Sequence, residues 1–337
     1  VSELVSNYKI DGIHFDFIRY PGNNFDDEFS YSAYGNERNK NDWRRDNITR
    51  LVKELSFAAK SINPIIKVGA APFGIYKNVN GAKGAESYFE VYQDSWKWIE
   101  EKYLDYIVPQ IYWDINSNPR FDSLASNWRK NINGRNLILG VAAYKDEVKN
   151  EIEDIINISR KVGAEGVSFF RYQNIADYDF KLFEKYAYPS AMPWIDILRP
   201  EAPQNLAYEF INDKQIRLSW NEPNSSVNKN GVGYYTLYRL DNLNTRITSE
   251  NFFEIIEADK TSVILDFEKP NFIKYYFTLT SVDKLWNESL QFSNIVEITL
   301  PKLAKLAKEL KHFEKPVLYK DITGDYKILL YSSAEEE

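Results

Sequence analysis

The stretch Ile10-Asp11-Gly12-Ile13-His14-Phe15-Asp16-Phe17-Ile18-Arg19-Tyr20-Pro21-Gly22 decides how the first half of this chain is read. As an extended strand it sets His14 and Asp16 on one face and Ile13 and Phe15 on the other. In a parallel barrel the apolar face packs on the surrounding helices. The polar face then looks inward near the C-terminal rim, where such barrels keep their active sites. Similar short runs recur at Ile65–Ala70, Asp105–Val108, Leu137–Val141 and Gly166–Phe170. Between them the spacing is helical: Ile48, Leu51, Val52, Leu55, Ala58, Ala59 and Ile62 behind Asp42 as a cap, then Val148, Ile152, Ile155 and Ile156. Strand–helix alternation of this kind means βαβ units and a parallel sheet. Five strands are visible, against eight in a closed barrel of about 250 residues. The expected fold is an α/β, (β/α)8-type barrel represented by about its last five strands. An open doubly wound sheet fits the periodicity as well.

After residue 198 the texture changes. The segment LRPEAPQNLAYEF carries two prolines, and no helical period follows until about residue 300. Short alternating runs take over at Gln215–Trp220, Tyr234–Leu240, Ser262–Asp266, Lys274–Val282 and Asn294–Thr299, which predicts an all-β sandwich. The expected organisation is a barrel part over 1–190, a linker over 191–202, a sandwich over 203–300 and an extension over 301–337. That extension reads as an amphipathic helix, KLAKLAKELKHF, followed by one or two strands.

Composition narrows the function classes. With 44% hydrophobic and 27% charged residues the 337-residue chain is globular rather than disordered. Its net charge of −7 opposes a nucleic-acid partner, which needs a basic face. There are no cysteines and only two histidines, His14 and His312, so thiolate and multi-histidine metal sites are excluded and no cofactor is implied. No apolar run reaches the ~20 residues of a transmembrane helix. The opening VSELVSNYKIDG reads as the end of a helix running into a strand, as a fragment starts, so the lack of a leader says nothing about compartment. An aromatic content of 15% suits both sandwich cores and stacking on sugar rings.

Polar groups crowd the ends of the strand runs. Asp16 is the leading carboxylate, with His14, Arg19 and Tyr20 around it; the bland reading is a buried, hydrogen-bonded scaffold. The second cluster, Leu104 to Asp114, ends in Gln110, Tyr112, Trp113 and Asp114. There Gln110 suits sugar hydroxyls, Trp113 suits stacking, and Asp114 is a possible second carboxylate; alternatively the aromatic residues only pack. Phe73, Tyr144, Lys145 and Arg171 follow the other strands. Glu86 lies in the insertion NVNGAKGAESY and competes with Asp114 for the second carboxyl role. The charges of Asp42 to Asn47 read as helix capping and a solvated face. Glycoside cleavage uses two carboxyls, one as acid and one as nucleophile or base.

Seven blocks in order, DGIHFDFIRYPG, DWRRDNI, APFGIY, YFEVYQDSWKWI, LDYIVPQIYW, LGVAAY and GVSFFRY, give residues 1 to about 185 a resemblance to the glycosyl-hydrolase-like ten family. The resemblance implies a barrel of the bacterial envelope, or a secreted one. It also implies activity on peptidoglycan-type glycan strands stripped of their stem peptides. It makes Asp16 the catalytic carboxylate at the end of the fourth barrel strand, with His14, Arg19, Tyr20, Phe73, Gln110, Tyr112, Trp113 and Arg171 lining the cleft. Many relatives carry a second Asp where this chain has Phe17. Residues 203–300 resemble a fibronectin type III module through APQNL, LSW, YTLYRL and YYFTLTSVDKLWNESLQFSNIVEI. The expected function is that of a glycoside hydrolase. Its alternatives are a carbohydrate-binding protein without a complete acid pair, and a cell-surface scaffold in which the sandwich does the work.

Overall fold

The computed structural model describes residues 1–183, 187–223, 231–267 and 274–300, together with the backbone of 317–320 and 326–329. The chain divides into two compact units, Val1–Ile197 and Leu198–Glu337. In the first, the short apolar runs become β1 (Gly12–Phe15), β2 (Lys67–Ala70), β3 (Tyr106–Ile107), β4 (Asn136–Val141) and β5 (Gly166–Phe169). Each pairs in parallel with the next, in the order β1-β2-β3-β4-β5. An open doubly wound sheet reverses its order at a switch point. The unbroken sequential order is that of a barrel wall, and the five strands form a parallel half-barrel.

The helices that cross between the strands are α1 (Ser2–Asn7), α2 (Glu28–Tyr34), α3 (Lys40–Ile62), α4 (Ser87–Glu90), α5 (Ser95–Glu100), α6 (Phe121–Asn131), α7 (Asp146–Lys149) and α8 (Ile152–Val162). Helix α3 starts two residues before the expected cap. The Asn39 side chain accepts from the Asn41 and Asp42 amides at 3.0 and 3.3 Å, and Asp42 instead pairs with Arg45 in the first turn. One face of α3 buries Ile48, Val52 and Ala59 against Val68, Ala70, Ile107, Leu137 and Leu139 of the strands. Two buried indoles are satisfied in this layer: Trp98 donates to the Thr49 hydroxyl at 3.2 Å and Trp128 to the Gly74 carbonyl at 2.7 Å.

Only part of the Asp42–Asn47 stretch forms the solvated face expected of it: the Asp42 side chain is exposed. Arg44 and Arg45 are buried. Arg44 grips Asp27 through Nε at 2.7 Å and Nη2 at 2.6 Å, and reaches the Asn23 carbonyl, the Phe25 carbonyl and the Tyr92 hydroxyl at 3.1, 2.9 and 2.8 Å. Those contacts use the whole guanidinium fork. They staple the chain that follows β1 to the start of α3.

The second unit holds β6 (Gln204–Phe210), β7 (Gln215–Asn221), β8 (Val232–Leu240), β9 (Phe252–Glu257), β10 (Ser262–Asp266), β11 (Lys274–Asp283) and β12 (Val296–Thr299). They form antiparallel sheets of order β10-β7-β6 and β12-β11-β8-β9. Ile216, Leu218 and Trp220 of one sheet share a core with Tyr235, Leu237, Phe277 and Ile298 of the other, which makes the unit a sandwich. Two strands escaped the pattern: β6 follows a proline-marked stretch, and β9 alternates poorly in burial. In the extension, β13 (Val317–Lys320) and β14 (Tyr326–Leu329) pair antiparallel, and the expected lysine-rich helix lies outside the described residues.

Candidate active site

The inner face of the half-barrel starts from one glycine. In register, His14 of β1 faces Gly69 of β2, which faces Tyr106 of β3. A Cβ on Gly69 would sit 2.2 Å from ring atoms of Tyr106, so only glycine lets that ring lie across β2. There it stacks on His14, centroids 5.7 Å apart and planes 15° from parallel. Although His14 is exposed overall, desolvation of its ring lowers its pKa, and the Asp16 charge opposes that shift without cancelling it. Burial pushes the Tyr106 phenol up to about 12, assisted by the charge of Asp105.

Asp16 sits one residue beyond β1, exposed at the C-terminal rim. Its Oδ1 accepts from the Phe17 amide at 2.8 Å and from Gln110 Nε2 at 3.0 Å. The same Gln110 amide reaches the Ala71 carbonyl at 3.3 Å, and its backbone bridges in parallel to Phe73 and Gly140. Gln110, expected to meet sugar hydroxyls, is thus tied from the middle of the sheet to the carboxylate. Asp16 Oδ2 takes no hydrogen bond within the described residues. One oxygen is anchored and the other is open.

Phe17 has a left-handed backbone, φ 54°, which is strained for a bulky side chain, and is 73% exposed. Its carbonyl accepts from the Arg19 amide at 2.9 Å, and the guanidinium of Arg19 lies over the Phe17 ring at 4.0 Å and the Phe73 ring at 4.5 Å. Desolvation lowers the Arg19 pKa and the charge of Asp16 raises it, with desolvation the larger.

Across the rim three rings meet. Tyr112 stacks on Phe170 at 6.0 Å and 25°, and Tyr144 stands edge-on to both at 6.2 and 6.0 Å. Tyr144 and Phe170 are 47% and 49% exposed. Burial pushes the Tyr112 phenol up to about 12, with the charges of Asp16 and Tyr144 adding to it, so this cluster stands within the field of the carboxylate. Lys145 Nζ holds the Tyr112 carbonyl at 2.8 Å. Trp113 is half-buried against the core, and Arg171 is exposed just beyond Phe170.

Tyr20 departs from the cleft. Its ring packs edge-on against Phe25 and Tyr92 at 5.4 Å each, and its hydroxyl accepts from Asn47 Nδ2 at 3.2 Å. It lines a pocket of about 510 Å³ between α2 and α3 rather than standing beside Asp16. The two candidates for a second carboxylate are also engaged elsewhere. Asp114 accepts from the Asn116 amide at 2.8 Å, the Ser117 amide at 2.6 Å and the Ser117 hydroxyl at 2.7 Å, and that hydroxyl bond leads the causes lowering its pKa. A carboxyl held ionised in its own turn is poorly suited to donate a proton near neutrality. Glu86 accepts from the Asn78 amide at 2.7 Å and closes the 78–86 loop. Among the described residues, no group of His, Asp and Glu side chains could hold a metal ion, and no helix is long and apolar enough to cross a membrane.

The half-barrel with a carboxylate at its rim matches a family model. Residues 1–155 match the model of the glycosyl hydrolase-like 10 family. Glycosyl hydrolase YngK of Bacillus subtilis (strain 168) is 30% identical over 323 residues, which is 86% of this chain and 62% of YngK. Glycosyl hydrolase DigH of Escherichia coli (strain K12) is 37% identical over 166 residues, 45% of this chain and 38% of DigH. The chain therefore spans less than two thirds of the length of either glycosyl hydrolase-like relative. The central fibronectin-III array of RIM-binding protein is similar at 15% identity and a TM-score of 0.23 over 36% of this chain and 41% of that one, too slight a likeness to bear on function.

Proposed function

We propose that residues 1–183 supply one wall of a glycan-cleaving cleft in which Asp16 is the catalytic carboxylate, acting on peptidoglycan-type glycan in the bacterial envelope or outside the cell. The observation that carries this reading is the asymmetry of Asp16: Oδ1 is fixed by Gln110 and the Phe17 amide, while Oδ2 is open at the rim. Catalysis gains from a reacting group held in one geometry, because the orientation cost is met before substrate arrives. The match of residues 1–155 to the glycosyl hydrolase-like 10 model and the names of both relatives support the reaction class. The exposed Tyr144 and Phe170 rings suit stacking on the apolar faces of sugars. Because Asp114 and Glu86 hold their own loops, we assign the proton-donating role to neither. The sandwich, in this reading, is a fibronectin type III-like spacer or platform.

That Asp114 and Glu86, the two candidates for the second carboxyl, each hold their own loop favours one rival, a glycan-binding wall without chemistry. Incubating denuded glycan strands with the chain and with Asp16→Asn separates the two. Shorter products from the wild type alone support the hydrolase; retention of glycan by both, with no cleavage, supports the binder.

A further inference from the structure

We propose that Arg19 is the receptor for an anionic substituent, a carboxylate, on the glycan bound at Asp16; this deepens the hydrolase reading and rests on it. Most other charged groups around this rim have partners. Asp114, Glu86 and Glu151 accept from loop amides, Lys145 holds the Tyr112 carbonyl, and Arg44 is saturated by Asp27, Tyr92 and two carbonyls. Arg19 differs. Its side chain makes no hydrogen bond or ion pair within the described residues, and its Nη1 is buried without a partner. Two aromatic rings hold it instead, Phe17 at 4.0 Å and Phe73 at 4.5 Å.

Rings packed against a guanidinium restrict its freedom but satisfy none of its donors, which lie in its own plane. A donor fork set this way matches a carboxylate in bidentate fashion and is far less selective for a neutral hydroxyl. The left-handed backbone of Phe17 serves the same end: it turns that ring up to meet the guanidinium two residues on, at a conformational cost that packing does not recover, since the ring is 73% exposed. The Arg19 guanidinium spends none of its donors on hydrogen bonds to the described residues, so pairing with a ligand breaks no such bond. Asp16 also lies within the field of Arg19. An incoming anion would be repelled by Asp16 alone, and Arg19 is placed to offset that repulsion.

The test is calorimetric titration of the full chain carrying Asp16→Asn, so that nothing is cleaved. Two soluble amino-sugar oligosaccharides serve as probes, one with free lactyl carboxylates and the other with those carboxylates amidated. The free form is expected to bind about tenfold tighter or more, as a charge-assisted pair allows. Adding Arg19→Gln should erase the difference while affinity for the amidated form stays, and Arg19→Lys should retain part of it. Equal binding of both probes, or a preference that survives Arg19→Gln, overturns the inference and leaves the hydrolase reading standing. No binding of either probe overturns both. Circular dichroism of each variant excludes loss of fold as the cause.

Discussion

Replacing Asp27 by Asn tests the frame that carries the rim. Asp27 and Arg44 are each only 5% exposed at their side chains, and two charge-assisted bonds of 2.6 and 2.7 Å join them. Hydrogen bonding from Arg44 is the main reason the Asp27 pKa falls from 3.8 to about 2. A drop of that size corresponds to about 2 kcal/mol favouring the ionised, folded form. Removing one member of a buried pair adds the cost of the stranded partner, which takes such losses to about 3–5 kcal/mol. The expected loss for Asp27→Asn near neutral pH is therefore about 2–5 kcal/mol. The pH dependence has a definite sign. A carboxyl with a depressed folded pKa stabilises fully above its unfolded pKa and loses that contribution as pH falls through the folded value. The gap between wild type and variant should be constant above about pH 4 and shrink towards about pH 2. Urea unfolding followed by tryptophan fluorescence reads this directly, because Trp43, Trp96, Trp98, Trp113, Trp128 and Trp194 all lie in the first unit. A variant within about 0.5 kcal/mol of wild type, the ordinary size of a surface change, would refute the reasoning. So would a gap that does not shrink in acid.

Other consequences are independent of that frame. Gly69→Ala should displace the Tyr106 ring from His14 and cost about 1–3 kcal/mol, the usual price of overpacking, read as a lower melting temperature; an unchanged melting temperature would contradict the close approach. The His14 imidazole should titrate below 6.5 by NMR, and lower still in Asp16→Asn, because Asp16 is the group that raises it; a rise in that variant would count against the proximity. The Tyr112 phenol should titrate near 12 by ultraviolet absorbance difference against Tyr112→Phe, and lower when Asp16 is neutralised.

Much of the barrel half was legible because its strands announce themselves locally. Gly12–Phe15 alternates cleanly between turn residues, and β1 has those bounds. Pairing order is not a local property, so the choice between a barrel wall and a doubly wound sheet needed the register of β1 through β5. Side-chain direction in loops was hardest to read. Tyr20 is four residues from Asp16, yet its ring packs on Phe25 and on Tyr92, whose hydroxyl accepts from the same Arg44 that binds Asp27. Arg44 itself sits in a charged helix start, and its partner lies 17 residues earlier, beyond any short spacing rule. The fate of Asp114 did leave a trace. Asp114-Ile115-Asn116-Ser117 is a turn-forming run in which an aspartate commonly accepts from amides two and three residues on. Phe170 left little signal, since an aromatic residue at a strand end reads equally as core.

The central claim is that Asp16 performs chemistry and does not merely hold glycan. The most direct measurement takes wild type and Asp16→Asn side by side, recording affinity for denuded glycan and release of new reducing ends from it. The expected result is comparable binding by both proteins, with release falling at least about a hundredfold in the variant, as loss of a catalytic carboxyl entails. Release that persists in Asp16→Asn, or glycan binding by the wild type with no release at all, would contradict the claim.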